Sequence, residues 1–233
     1  MDAYTGTRAP SHALDIAALS AWLTDHVEGF AGPLSVAQFK GGQSNPTYQL
    51  STPGASYVMR SKPAPVAQLL PSAHAIEREF RVMQALADSA VPVPRMLALC
   101  EDEAVIGRAF YVMEFKAGRI LWDQSLPGLT PPERAAHYDE MNRVIAALHQ
   151  VDFQALGLAD FGKPGNYFER QIGRWSKQYL ASVTQPNPAM DALLEWLPAH
   201  IPASARDSAE VSIVHGDYRM DNLVFDATAP RIV

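Results

Sequence analysis

Val214–Phe225 reads VHGDYRMDNLVF, and the spacing inside it decides how the rest of the chain is understood. The apolar run VSIV leads into His215, Gly216 and Asp217. After four more residues comes Asn222, and then a second apolar run. Strand, turn, carboxylate, amide, strand is an order suited to moving a phosphoryl group onto a hydroxyl. That chemistry needs an acceptor for the hydroxyl proton, oxygen ligands for a divalent cation and a positive charge on the phosphates. Asp217 would orient and deprotonate the hydroxyl, Asn222 would offer its amide oxygen to magnesium, and His215 would brace the loop by hydrogen bonding. Downstream, NLVF and RIV read as two strands of a hairpin around DATAP.

Working upstream, the positive charge should come from an element that can reach this loop. The segments LSVAQFK, TYQLST, SYVMRSK, VPVPRMLALC and AFYVMEF read as antiparallel strands, with one main helix among them, from Ala73 to Ser89. An amphipathic helix precedes them, with Leu14, Ile16, Leu19, Trp22, Leu23, Val27 and Phe30 on one face. In the Ala73–Ser89 helix, Ile76, Phe80, Met83, Leu86 and Ala87 form an apolar stripe, and Glu79 falls inside it at about 300° from Ile76. A carboxylate there needs a cation from a neighbouring element, unless it only edges the stripe and reaches water.

The second half is mostly helical. Thr130, Pro131, Pro132 and Glu133 spell a capping-box start with proline at the first helical position, and Met141, Val144, Ile145, Leu148 and Val151 continue a buried face. A helix over about 166–183 is expected to turn Phe168, Ile172, Trp175 and Tyr179 inward, leaving Arg170, Arg174 and Lys177 to meet an anionic substrate or solvent. The whole is an α+β pattern.

Composition narrows the function classes. The chain carries 25 acidic and 19 basic residues, a net charge of −6, which disfavours nucleic acid and anionic membrane as partners. No run of about twenty apolar residues is present. Cys100 is the only cysteine, so no intrachain disulfide can form, and a cytoplasmic location is expected.

Taken together, GGQSNPTYQL, YVMRSKP, SAHAIEREFRVMQAL, FYVMEF, ALHQVD, PGNYFERQIGRWSKQY and VHGDYRMDNLVF resemble the aminoglycoside phosphotransferase family, of the protein-kinase-like fold. The likeness is closest to the phosphotransferase-like domain fused to some acyl-CoA dehydrogenases. The resemblance implies two lobes, a nucleotide-binding lobe over 1–115 and a helical catalytic lobe over 116–233, with ATP and Mg2+ as cofactors and a small hydroxylated molecule as substrate. It matches Arg60 to the strand cation on the phosphates, where most members of the wider superfamily have Lys. Lys62, on the same side of an extended strand, could share that task. Glu79 matches the helix glutamate that pairs with this cation. Gly42, Gln43, Ser44 and Asn45 match the loop over the nucleotide, and Glu114 and Phe115 the hinge whose backbone reads adenine. Asp160-Phe161-Gly162 imitates a kinase metal motif, but it lies upstream of Asp217, in the wrong order for that role.

In the family a metal-holding Asp follows the strand that RIV begins. The resemblance therefore implies that these residues belong to a longer product, with the catalytic lobe truncated and not competent as a kinase alone. Two rival readings are a nucleotide-binding pseudokinase module without catalysis and a metallohydrolase using His215, Asp217 and Asp221.

Overall fold

The structure is a computed structural model, and it describes residues 6–41, 45–63, 75–163, 165–206 and 211–233. By compactness the chain falls into two units. One takes in the residues up to Gln150 together with Val214–Val233, and the other is Val151–Ile213. The lobe boundary expected at 115/116 lies inside the first unit.

The first unit is built on a six-stranded antiparallel sheet in the order β1-β2-β3-β4-β6-β5. The strands are β1 (Thr7–Arg8), β2 (Ser35–Phe39), β3 (Thr47–Ser51), β4 (Ser56–Ser61), β5 (Met96–Cys100) and β6 (Phe110–Glu114). Five of them fall on the expected apolar runs. The two-residue β1, which pairs Thr7 with Phe39, is too short to leave a periodic signal. In VPVPRMLALC the strand begins only at Met96, because proline supplies no N–H to a ladder.

Strand alternation sorts the side chains to the two faces. Tyr48, Leu50, Tyr57, Met59, Phe110 and Val112 face α1 (Ile16–His26), whose Leu19 and Leu23 are fully buried against them. Asp15 caps α1 by accepting from Ala18 N at 2.9 Å. Ala109 and Tyr111 face α2 (Ile76–Ala85), packed with Ile76, Phe80 and Met83. Arg108, itself buried, donates from Nε to Ser61 Oγ at 3.1 Å and from its terminal nitrogen to Tyr48 Oη at 3.2 Å. Ser61 is thereby held toward the α1 side, and its neighbours Arg60 and Lys62 take the α2 side.

Helix α3 (Pro131–His149) begins as its sequence predicts. Thr130 N donates to Glu133 Oε2 at 2.8 Å and Thr130 Oγ1 to the same oxygen at 2.6 Å, holding the Glu133 carboxyl below its usual pKa. Met141, Val144 and Leu148 are buried. The expected VSIV strand is not formed: Val211–Val214 are irregular, with Val214 exposed. An apolar run signals a strand only where a ladder partner lies alongside. The NLVF–RIV hairpin closes through Asp226 N to Arg231 O at 2.7 Å and Val233 N to Val224 O at 3.0 Å. It forms isolated bridges rather than full strands.

The second unit contains α4 (Tyr167–Ser182) and α5 (Pro188–Ala199), followed by a short 3-10 turn, Ala203–Arg206. Asn187 caps α5, accepting from Met190 N at 3.3 Å, with Pro188 at the first helical position. Helix α4 packs against α5, but neither helix buries a residue fully. Ile172 and Tyr179 are half-buried, whereas Phe168 and Trp175 are exposed. The inward stripe expected of α4 is corrected accordingly: the apolar face exists, and within this unit α5 leaves part of it exposed.

Candidate active site

Two clusters of chemistry-bearing side chains sit in the first unit. The first lies where β4 runs beside α2. Arg60, opposite Thr47 on one neighbouring strand and Tyr111 on the other, brings Nε to 2.9 Å from Glu79 Oε2. That nitrogen makes no aligned hydrogen bond, so the contact is one of charge at close range. Glu79 is held from two further directions: Asn45 Nδ2 donates to Oε1 at 3.0 Å and Tyr111 Oη donates to Oε2 at 3.0 Å. The carboxylate that periodicity placed inside an apolar stripe thus meets a cation and two neutral donors. Lys62 has its own partner, Glu77, on the same helix. Burial, and then the charge of Glu79, raise the Tyr111 pKa well above its usual value, which keeps the hydroxyl a donor.

Glu114 and Phe115 follow at the end of β6. The Glu114 N–H donates to Arg95 O at 2.9 Å. Its carboxylate accepts from Arg95 N at 2.7 Å and pairs with Lys116 at 2.8 Å. Partial burial works against the charged form, yet these partners outweigh it and hold the carboxyl below its usual pKa. Phe115 is exposed. Gly42, Gln43 and Ser44 lie outside the described residues.

The second cluster is the loop His215–Asn222. Gly216 turns the chain at φ 85°, a conformation glycine adopts without strain. The 3-10 turn Met220–Asn222 then brings Asn222 back, so that its Nδ2 donates to Asp217 O at 2.8 Å and to Asp217 Oδ2 at 2.9 Å. Arg219 Nε approaches Asp217 Oδ1 at 3.3 Å, and its terminal nitrogen donates to Asp221 Oδ2 at 2.7 Å. His215 Nδ1 accepts from Asp217 N at 3.4 Å, and its ring meets Tyr218 edge-on. Although His215 is exposed as a residue, desolvation lowers its pKa against the opposing charge of Asp217, consistent with a neutral, accepting nitrogen.

Two anchors fix this loop. Tyr218 Oη donates to Met141 O of α3 at 2.8 Å, and burial together with the Glu140 charge pushes its pKa up to about 12. Gln124 accepts from Met220 N at 3.4 Å and donates to Asp221 Oδ1 at 3.1 Å. Behind the loop, Phe225 exchanges backbone hydrogen bonds with Arg119, and Arg119 also donates to Asp226 O at 2.8 Å and Ala229 O at 3.0 Å. Gly118 makes this approach possible, because a Cβ there would stand 2.3 Å from Phe225 O.

Gln124, Tyr218, Arg219 and Tyr111 were not singled out from sequence for this site. Only Tyr111 carried a signal, since strand alternation places it on the α2 face beside Arg60. Asp160-Phe161-Gly162 lies in a turn of the second unit, where Phe161 N donates to Leu158 O at 2.9 Å. Asp221 is engaged by Gln124 and Arg219, and among the described residues no group of three or more His, Cys, Asp or Glu could hold a metal ion. Asn222 and Asp217 carry an amide and a carboxylate oxygen, donor types that a hard cation takes, although here Asn222 turns its Nδ2 toward Asp217.

An antiparallel sheet, a strand–helix ion pair and an HGD loop are the elements that the resemblance to the aminoglycoside phosphotransferase family calls for. The chain belongs to the phosphotransferase enzyme family, whose model matches residues 35–233. It is 52% identical over 194 residues to acyl-CoA dehydrogenase family member 10 of Mus musculus, covering 83% of this chain and 18% of that protein. A Ralstonia eutropha protein, provisionally named an aminoglycoside phosphotransferase, is 64% identical in its crystal structure. It superposes with a TM-score of 0.84 over 94% of this chain and 63% of the other. The aminoglycoside phosphotransferase APH(4)-Ia, solved in ternary complex with AMP-PNP and hygromycin B, shares the fold. There the TM-score is 0.55 at 20% identity, over 92% of this chain and 68% of the other. The chain thus spans less than a fifth of the mouse relative and under two thirds of the bacterial one. No helix among the described residues is long and apolar enough to cross a membrane.

Proposed function

We propose that the protein is an ATP-dependent O-phosphotransferase acting on a hydroxyl of a small molecule in the cytoplasm. The observation that carries this reading is the pairing of Arg60 with Glu79 in the same compact unit as the Asp217–Asn222 loop. In it, Arg60 grips the α and β phosphates in the manner open to a guanidinium, held by Glu79, with Lys62 free to assist when it leaves Glu77. Gly42, Gln43, Ser44 and Asn45 would cover the nucleotide, and the Glu114 carbonyl with the Phe115 backbone would read the base. Asn222 would hold Mg2+, which when bound neutralises charge on the phosphates. Asp217, exposed and oriented by Asn222 and Arg219, takes the proton of the acceptor hydroxyl, and His215 keeps the turn in place.

The name of the mouse relative makes a hydroxyacyl-CoA-like molecule the first acceptor to test, ahead of aminoglycosides. Phosphoryl transfer from ATP by the protein in its natural full length, to a panel of hydroxylated acyl thioesters, sugars and aminoglycosides, should show one productive class. Asp217→Asn should reduce transfer by about 10²- to 10⁴-fold, the range of general-base contributions. Transfer unaffected by Asp217→Asn would overturn the assignment. The other reading, a nucleotide-binding module without catalysis, is favoured by Arg60, an arginine at the position where the resemblance to the wider superfamily leads one to expect lysine. Nucleotide binding with no transfer to any acceptor would establish it.

A further inference from the structure

We infer that Tyr111 and Asn45 are positioning residues of the phosphate grip, acting through Glu79 on Arg60. This rests on the nucleotide-binding reading above. Tyr111 is 1% exposed, and its ring lies among Ile76, Ala109 and Phe80. That apolar setting would be filled equally well by phenylalanine. A hydroxyl there costs desolvation unless it finds an acceptor, and the acceptor it has is Glu79 Oε2, the same oxygen that faces Arg60. Asn45, also 1% exposed, donates to the other oxygen, Oε1.

Two desolvated donors from different elements therefore converge on one carboxylate and leave it a single orientation. Arg60 Nε makes no aligned hydrogen bond, and its terminal nitrogen reaches Thr47 Oγ1 only at 3.5 Å, so the guanidinium is placed chiefly by the charge of Glu79, and the position of that charge is set by Tyr111 and Asn45. The adjacent Lys62–Glu77 pair is a foil. Glu77 is held by Lys62 instead. Asn45 also directly follows, in sequence, the segment expected to cover the nucleotide.

The test is equilibrium binding of ATP, ADP and adenosine to the full chain. Tyr111→Phe retains the buried ring and removes only the hydroxyl. The dissociation constants of ATP and ADP should rise about 3- to 10-fold, the net worth of one ordinary hydrogen bond. That of adenosine, which has no phosphate for Arg60 to hold, should stay unchanged. Asn45→Ala should repeat the pattern, and Tyr111→Phe should have no further effect in an Arg60→Ala background. Equal weakening of all three ligands, or an undiminished effect in the Arg60→Ala background, would mean a general structural role and overturn the inference. Unchanged ATP affinity in both single variants would overturn it alone, whereas a wild-type protein that binds no nucleotide would remove the underlying reading as well.

Discussion

Phe225 and Trp175 are both large aromatic residues, yet the molecule treats them oppositely. Phe225, in the hairpin behind the HGD loop, is 0% exposed, its ring 5.3 Å from that of His137 and its backbone bonded in both directions to Arg119. Trp175, on α4 of the second unit, is 56% exposed, with Trp196 on α5 at 52%. The contrast separates two things that an amphipathic pattern merges. Periodicity states which side of an element is apolar, and burial depends on a partner surface shaped to meet that side. The first unit supplies such partners from segments distant in the chain. The second, within itself, has one helix facing another.

The contrast breaks most readily at Phe225. Phe225→Ala should cost about 3–5 kcal/mol, the range for removing a buried aromatic ring, measured as a shift in the urea midpoint. A cost near zero would mean that the hairpin is not anchored by its core contact. Gly118→Ala sharpens the same point through the backbone. Its Cβ would meet Phe225 O at 2.3 Å and Val224 Cγ1 at 2.6 Å, and the first of these cannot rotate away. A loss of about 1–3 kcal/mol is expected, as for overpacking. Asp217→Asn transfer rates need not enter this measurement, because the readout is unfolding.

Legibility from sequence follows the same division. Asp217 and Asn222 could be paired from their spacing because both belong to one short loop, and the structure joins them through a contact only five residues apart in the chain. Glu79 could be flagged because a charge inside an apolar stripe is a local contradiction, resolved by Arg60. Asn45 and Tyr111 could not be tied to Glu79, since their contacts span 34 and 32 residues and cross between elements. Gln124 reaches Asp221 over 97 residues and gives no periodic or motif signal at all. The sheet was legible in five strands because each alternates or runs apolar, while VSIV showed the limit: an apolar run without a ladder stays irregular.

A smaller effect resides in the turn of the hairpin. Asp226 Oδ1 accepts from Thr228 N and Ala229 N, each at 2.9 Å, and from Thr228 Oγ1 at 3.1 Å. These donors, the Ala229 N–H foremost, lower its pKa from 3.8 to about 2. A carboxyl depressed in the folded state contributes stability that is complete above its unfolded value and is lost as pH falls through the folded one. The gap in Tm between wild type and Asp226→Asn should therefore be constant above about pH 4 and close as pH falls toward 2. A gap that widens on acidification would show that the turn is not held by the charged form.

The smallest expected effect is at Trp175 and Trp196. Each residue is already more than half exposed, so Trp175→Gln and Trp196→Gln should each change unfolding free energy by no more than about 0.5 kcal/mol. The Arg174 guanidinium lies 5.7 Å from the Trp175 ring centroid, and at an exposed site such a contact is worth at most about 1 kcal/mol. What should change is surface character. Binding of a hydrophobic dye to the double variant should fall, because two large exposed indoles are removed and only smaller exposed side chains such as Leu180 and Leu193 remain. If the double variant instead loses as much stability as Phe225→Ala, those indoles are covered in solution. The difference between the two regions would then be one of what covers each face, with both faces equally built for burial.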